Sequence, residues 1–434
     1  MKHYLLLYFI LPIVLHANEV TYEELLNSAS VNSFKLKLLK SDENIESSKL
    51  ETIYSEYYPT LNLSYNTEYN RDLNGFNAGT ESVGDTVITN GTRYQSSLSL
   101  SLNYELYHFG VTDDSIEIAK REVDTKEYVW CEEEKRLHQS ILERYSSAIK
   151  SNAKSELKSQ MLDIHQKLYE VKKRLYKAGK YSKVDLGDEA ISIIDLEREV
   201  ELSDLQYQED IIELSNLSHV ELDKDSSKLL SIEMSESKVL QDKFEDTALG
   251  FKYSNQIMQK EQEIEQLTHA QYPTISMYGN YYMYGADPDD VAESADAIRK
   301  NSWKLGLSIR LNIFEGFKYS NNSQTLRHEL LRIKQERDLS KRDYEYNSKV
   351  KHNKISHLDV LYEKDSHLQQ QTTKKIAMIK RLRENQQIDS ASELNALLEG
   401  LERELNLRIE KAEIAYEKAS LEILHRGVSQ CTQH

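Results

Sequence analysis

Two stretches, YYPTLNLSYNTEYN at 57–70 and QYPTISMYGNYYMY at 271–284, set two of the chain's four prolines in the same Tyr-Pro-Thr context. After Pro59, Leu61, Leu63, Tyr65 and Tyr69 alternate with Asn62, Ser64, Asn66, Glu68 and Asn70. A period of two puts one set on each face of a strand. After Pro273, Ile275, Met277, Tyr281 and Met283 share a face in the same way.

Each run has a second one downstream. YQSSLSLSLNYEL sets Leu98, Leu100, Leu102, Tyr104 and Leu106 against serines, Asn103 and Glu105. WKLGLSIRLNIF sets Trp303, Leu305, Leu307, Ile309, Leu311 and Ile313 against Lys304, Gly306, Ser308, Arg310 and Asn312. Each run is about 10 residues, the length that crosses a bilayer as a tilted strand. Residues 71–92 and 285–301 are rich in Gly, Asn and Asp without helical or strand period, so each pair reads as a hairpin with a long polar loop. The acidic DPDD at 287–290 reads as a solvated turn rather than a cation site.

Export and composition point to the same environment. MKHYLLLYFILPIVLHANEV has Lys2, an apolar run from Tyr4 to Leu15 and small Ala17, which reads as a secretory signal over 1–17 cut before Asn18. About 12 apolar residues are too few to span the hydrocarbon of a membrane. No later stretch approaches 18 apolar residues, which excludes a helical span and leaves a β-barrel as the structure that satisfies its backbone in lipid. No Cys follows the cut, so a lipid-anchored N-terminus is not expected. The 28 Tyr against 8 Phe and 2 Trp favour a place where one end of the ring is dry and the other wet, as at a bilayer interface. A net charge of −17 disfavours a nucleic-acid partner. Cys131 and Cys431 are too few for a disulfide framework, and each reads as a free or opportunistically paired thiol.

The rest reads as helix. From Gly110 to Gly179, and from Gly316 to Asn385, the chain has neither proline nor glycine, on the order of 100 Å of helix in each case at 1.5 Å per residue. Ile116, Val123, Trp130 and Leu137 recur every seven residues, and Met161, Ile164, Leu168, Val171 and Leu175 follow at threes and fours. The return arm carries Leu394, Leu398, Leu401 and Leu405. These stripes mean helix packing and nothing functional.

The order helix, strand, loop, strand, long helix, turn, helix thus occurs twice. Offsets of 214 between the prolines and 206 between Gly110 and Gly316 indicate an internal duplication. The expected plan is a first repeat at 18–220, with strands at about 60–70 and 93–107, a long helix at about 111–178 and a turn at about 179–188. An inter-repeat segment at 221–243 follows. The second repeat at 244–434 has strands at about 274–284 and 303–314, a long helix at about 317–384 and a turn at about 385–393. The fold class is mainly α with a β-barrel contribution, built on a duplicated helix-strand-strand-helix-helix unit. Four strands cannot close a barrel, so subunits combine: two copies give eight strands and three give twelve, with a lumen.

With its signal peptide, paired YPT strand openings, FG-type elements (Phe109-Gly110 and Glu315-Gly316) and AGKYSKVDL turn, the chain resembles the TolC-like outer-membrane efflux proteins over essentially its whole mature length. The resemblance implies a homotrimer whose twelve-stranded outer-membrane barrel continues into a long periplasmic α-helical barrel. Such a duct conducts small molecules or polypeptides passively, as part of a tripartite efflux or type I secretion system, from an inner-membrane pump through a periplasmic adaptor. Pro59 and Pro273 would each stop a helix at the membrane and turn the chain into the barrel. The resemblance also implies a gate at the helix-turn-helix tips. There Gly179 and Ser182 precede Asp185 and Asp188 in the first repeat, while Gln386 and Asp389 precede Ser392 and Asn395 in the second, with Glu393 nearby. The competing reading is that these carboxylates only begin a helix at its positive dipole end.

Other classes find little support. Glu134 with His138, and His328 with Glu329, lack the third ligand or spacing of a metal or nucleophile site, so no catalytic residue, metal or cofactor is expected. No nucleotide motif appears. A secreted or periplasmic coiled-coil scaffold would explain the heptads and the acidity, but not four alternating runs of bilayer length.

Overall fold

The computed structural model describes residues 18–70, 81–83, 86–88, 93–224, 227–232 and 243–431. The signal segment expected at 1–17, most of the loop at 71–92 and most of the inter-repeat segment lie outside them. In chain order the elements are β1 (Asn18–Val20), α1 (Tyr22–Asn32), α2 (Phe34–Tyr54), β2 (Thr60–Asn70), β3 (Glu81–Val83), β4 (Thr86–Ile88), β5 (Arg93–Tyr107), α3 (Val111–Lys177) and α4 (Lys183–Ser218). There follow β6 (Ser227–Leu229), α5 (Ala248–His269), β7 (Thr274–Asp287), α6 (Val291–Asp296), β8 (Lys300–Arg310), α7 (Lys318–Glu384) and α8 (Ser390–His425). Helices α3 and α7 each have 67 residues, and α4 and α8 each have 36. Equivalent ends stand 207 positions apart, so the duplication holds in length as well as order.

The chain forms two compact units. One comprises Asp42–Thr125 and Tyr253–Glu336 and holds the antiparallel sheet β2-β5-β7-β8. Its register explains two departures from the expected strands. β8 ends at Arg310 rather than near 314, because Arg310 pairs with Thr274 and the next partner would be Pro273, which has no N–H to give. β7 runs to Asp287 rather than 284 because β5 accompanies it as far as the Tyr94↔Asp287 pair. In the loop beyond, α6 breaks the expectation of an aperiodic connection: Asp290 caps it, its side chain accepting from Ala292 N at 2.7 Å. A helix this short has too few turns to leave a period in the sequence. α6 lies on the sheet, with Ser294 Oγ 2.7 Å from Ser96 Oγ and both residues fully buried. A Cβ at Gly285 would come within 2.3 Å of Ser294 O, so only glycine admits this approach.

In the same unit a polar ladder joins α3 to α5. Gln262 Nε2 donates to Asp114 Oδ1 at 2.8 Å, Gln266 Nε2 to Ser115 Oγ at 2.7 Å and Asn255 Nδ2 to Thr125 Oγ1 at 3.0 Å. The His269 ring nitrogen Nδ1 lies 2.6 Å from Asp114 Oδ2. Each pair shields a polar group that would otherwise be buried without a partner, a state that costs about 1–3 kcal/mol.

The other unit takes the chain up to Ser41, Lys126–Lys252 and Arg337–His434. Its core gathers Leu25 and Ala29 of α1, Ile141, Tyr145 and Ala148 of α3, and Tyr207, Ile211 and Leu214 of α4. Burying side chains of this size stabilises by about 1.5–3 kcal/mol each. Tyr145 satisfies its hydroxyl by donating to Val20 O at 3.0 Å and Leu230 O at 2.8 Å. Those carbonyls flank the parallel pair β1–β6, three residues a side and too short to show in the sequence. Leu142 packs separately against Ala419 and Ile423 of α8. Cys131 and Cys431 are joined across 5.7 Å between Cα atoms, pairing the two thiols. Of the expected helix seams, Ile116, Met161, Leu168 and Leu405 are buried.

Candidate functional site

The sheet has two unlike faces. The pairs Ile275↔Ile309, Met277↔Leu307, Gly279↔Leu305 and Tyr281↔Trp303 put apolar groups together, and Leu98, Leu100 and Leu102 of β5 and Leu61 and Leu63 of β2 continue that side. The side is bare: Trp303, Leu305, Leu307 and Ile309 are 76%, 63%, 69% and 72% exposed. The opposite face carries Asn62, Ser64, Ser99, Ser101, Asn103, Tyr278, Lys304 and Ser308. Such a face suits water. An apolar patch of this extent is found on soluble proteins only where something else covers it. Among the described residues the edge strands β2 and β8 have no further strand beside them, which leaves two rows of backbone groups to be paired. No helix among the described residues is long and apolar enough to cross a membrane.

The strand-opening prolines stand one residue before β2 and β7. They act at a distance from the α-helices rather than ending them directly. α2 ends at Tyr54 and passes through a 3₁₀ turn at Ser55–Tyr57, while α5 ends at His269. Tyr58 is extended, at ψ 148°, as the residue before a proline must be. On the far side of the hairpin, Phe109 and Gly110 both have positive φ, at 47° and 92°, and in the second repeat Gly316 and Phe317 do, at 61° and 67°. The structural counterpart of Phe109-Gly110 is therefore Gly316-Phe317, not Glu315-Gly316 as expected. Phe109 stacks on Tyr272 at 5.5 Å.

In the other unit, the two helix tips are superimposable in logic. Lys180 N donates to Leu175 O and Gly179 N to Tyr176 O; Gln387 N donates to Leu382 O and Gln386 N to Arg383 O. Gly179 and Gln386 both sit at positive φ, 73° and 59°, the left-handed residue that closes a helix in this way. The turns are shorter than expected. They end at Ser182 and Asp389, so Asp185, Asp188, Ser392, Glu393 and Asn395 are helical residues.

Most of these candidates are already engaged. Ser182 caps α4: its Oγ accepts from Asp185 N at 3.1 Å, while its own N and Oγ donate to Asp185 Oδ2 at 2.8 and 2.6 Å. In α8 the residue types exchange places. Asp389 is the cap, and its Oδ1 accepts from Ser392 N at 2.8 Å and Ser392 Oγ at 2.7 Å. The serine hydroxyl and then the backbone hold each carboxyl, Asp185 and Asp389, below the usual carboxylate range. Glu393 is paired with Arg383. Asn395 is exposed, and so is Asp188, whose carboxylate has no hydrogen-bond or ion-pair partner among the described residues. Sequence reasoning missed the most buried acid near the first tip, Glu189, which accepts from Lys172 Nζ at 2.6 Å and lies 2.6 Å from His165 Nδ1. Its partners are on the facing helix, where no local spacing reveals them.

The Glu134–His138 pair is structural. Arg426 approaches Glu134 Oε2 at 3.4 Å and donates to His138 Nδ1 at 2.6 Å, and His138 Nε2 lies 2.9 Å from Ser30 Oγ. Glu329 pairs with Lys260 at 3.1 Å. No group of three or more His, Cys, Asp or Glu residues that would hold a metal occurs among the described residues.

The fold has solved counterparts. The chain is similar to the outer membrane protein VceC of Vibrio cholerae, with a TM-score of 0.77 at 12% identity over 94% of this chain and 96% of that one. It is similar to the CmeC outer membrane channel of Campylobacter jejuni, at 0.74 and 14% over 93% and 84%. The open state of the Neisseria gonorrhoeae MtrE outer membrane channel gives 0.67 at 14% over 95% and 91%. No curated protein matches the chain in sequence. The fold is the one these outer-membrane channels share, long helices joined to a β domain. Residues 22–218, a little under half of the chain, match the model of the outer membrane efflux protein family.

Proposed function

We propose that three copies of this chain close a twelve-stranded barrel in the outer membrane, with the helices forming a periplasmic duct. Through it, an inner-membrane pump passes cargo by way of a periplasmic adaptor. The observation that carries this reading is the four-stranded sheet with two free edges and one bare apolar face. Pairing β8 of one copy with β2 of the next satisfies both edges, and lipid covers the apolar face. Three copies leave a lumen lined by the polar face. The chain carries no nucleotide motif, so transport is passive here and small-molecule or polypeptide cargo is chosen by the pump. The first 17 residues serve export and are removed before Asn18. A coiled-coil scaffold would leave the apolar face without a reason.

Mass determination in detergent tests the assembly: a trimer that conducts ions in planar bilayers is expected. A stable monomer with an intact sheet, or full solubility without detergent, would refute it.

A further inference from the structure

Tyrosines on the lipid side of a barrel are accounted for by the bilayer interface, but those on the water side are not. β7 has three of the latter. Tyr278, Tyr282 and Tyr284 alternate with Met277, Tyr281 and Met283 and share the face of Lys304 and Ser302. Elsewhere that face is mostly hydroxyl and amide: Asn103, Ser101, Ser99 and Ser97 stand opposite β7 on the other side. The rings of Tyr282 and Tyr284 are nearly parallel, 6.4 Å apart at 17°. The Tyr278 ring lies flat across the sheet over Gly306, where a Cβ would come within 2.6 Å of its hydroxyl oxygen. The three rings thus lie along one strand, Tyr282 and Tyr284 in contact and Tyr278 set apart from them by Asn280.

Two lysines stand beside these rings in the register, Lys300 against Tyr284 and Lys304 farther along β8. Lys304 pairs with Asn280 in the register, between Gly306 opposite Tyr278 and Ser302 opposite Tyr282. It is exposed and has no hydrogen-bond or ion-pair partner among the described residues. Glu105, opposite Ser276 on this face, lies 3.3 Å from His108 Nδ1. Aromatic faces stack planar rings at centroid distances of about 4.5–7 Å, phenol hydroxyls donate to anionic oxygens, and an unpaired ammonium selects negative charge.

We propose that the water-facing side of β7 is a stacking track for planar aromatic anions in transit, the rings passing along Tyr278, Tyr282 and Tyr284 while Lys304 holds the acid group. This rests on the duct reading above. A trimer presents three such tracks around one lumen.

The test is current interruption through the full protein in planar bilayers, with naphthalene-2-carboxylate, cyclohexanecarboxylate and 2-naphthylmethylammonium added from the barrel side. Naphthalene-2-carboxylate is expected to block at a concentration about tenfold lower than cyclohexanecarboxylate, the effect of one or two stacked ring contacts, and also lower than the ammonium, whose ring stacks alike but whose charge Lys304 repels. Tyr282→Ser with Tyr284→Ser should remove the advantage over cyclohexanecarboxylate, Tyr282→Phe with Tyr284→Phe should keep it, and Lys304→Gln should remove the advantage over the ammonium. Equal block by the two carboxylates, or unchanged preference in the Ser and Gln variants, would overturn the track alone. A folded protein that passes no ions would overturn the duct and the track together.

Discussion

Asp210 on α4 and Glu417 on α8 stand 207 positions apart, and each is buried beneath a cation that obeys the same offset, Arg144 on α3 and Lys351 on α7. The two pairs differ in their insurance. Glu417 also receives Lys354 Nζ at 2.6 Å, whereas Asp210 has Gln206 Nε2 at 3.1 Å and one carboxylate oxygen without a partner. Removing a cation from a buried acid strands the charge, which costs about 3–5 kcal/mol when nothing replaces it. Arg144 is 38% exposed, which argues for the lower end. Arg144→Ala is therefore expected to destabilise by about 3 kcal/mol, and Lys351→Ala by about 1 kcal/mol because Lys354 remains. Unfolding in detergent with urea checks this, and equal losses would show that the second cation contributes nothing.

The left-handed residue at each helix tip offers a cleaner comparison. Gly179 takes its positive φ without cost, while Gln386 holds φ 59° with a Cβ. Gln386→Gly should stabilise by up to about 1 kcal/mol, and Gly179→Gln should destabilise by about the same. Space is not the issue, since a Cβ at Gly179 meets nothing within 4 Å. If the two substitutions change the melting temperature in the same direction, backbone strain is not what distinguishes the tips.

How much of this was written in the sequence depends on the range of the interaction. The alternation after Pro59 and Pro273 and the glycine-free helical runs are local patterns, and they carry the strand pairs and the two long helices. The repeat was legible but its register was not. The offset of 214 exceeds the structural value of 207 because the first hairpin is longer than the second, and 206 arises from matching Gly110 with Gly316 where the structure matches it with Phe317. The equivalence of Asp210 with Glu417, and of Phe109 with Gly316, needs that register. Short elements stabilised by distant partners, β1 with β6 and α6 against Ser96, leave no period to read. At the tips the sequence pointed to the right residues but not to their state, since only geometry shows that Asp185 and Asp389 are bound to serines.

That state narrows the gate. Asp185 and Asp389 are held in caps and Glu393 in an ion pair, which leaves Asp188 as the uncommitted carboxylate among the gate candidates. If three copies meet at a constriction, the field there favours cations and weakens with salt. Asp188→Asn should lower cation preference in planar bilayers at low salt with assembly unchanged. Asp185→Asn should instead lower stability, by about 1 kcal/mol, because a neutral amide replaces the carboxylate that accepts from Ser182 N and Oγ. A reversal potential that follows Asp185 and ignores Asp188 would reject this division of roles.

The apolar face gives a prediction at adjacent residues. Leu307 points to the bare side and Ser308 to the polar side. In a bilayer, Leu307→Arg near the midplane should cost about 2–4 kcal/mol, and Ser308→Arg should cost under about 1 kcal/mol. Refolding into lipid vesicles measures both. Equal costs would mean that the face assignment or the environment is wrong.

His138 supplies a pH dependence whose sign follows from its contacts. Burial first, and then the adjacent Arg426 guanidinium, push its pKa down from 6.5 to about 4, with Glu134 opposing them. Arg426 can only donate, so Nδ1 accepts and the neutral ring donates from Nε2 to Ser30 Oγ. The folded state thus resists a proton that the unfolded chain takes up near pH 6.5. The contribution to stability is fully present above that pH and is lost as pH falls toward 4, about 3 kcal/mol in all and about 2 kcal/mol by pH 5. Replacing the ring by His138→Gln keeps one donor and one acceptor but removes the titration. Between pH 7 and pH 5 the parent protein should lose more stability than the variant, while the two respond alike between pH 7 and pH 8. Identical acid profiles would show that His138 is already protonated in the fold, with Glu134 rather than Arg426 controlling its charge.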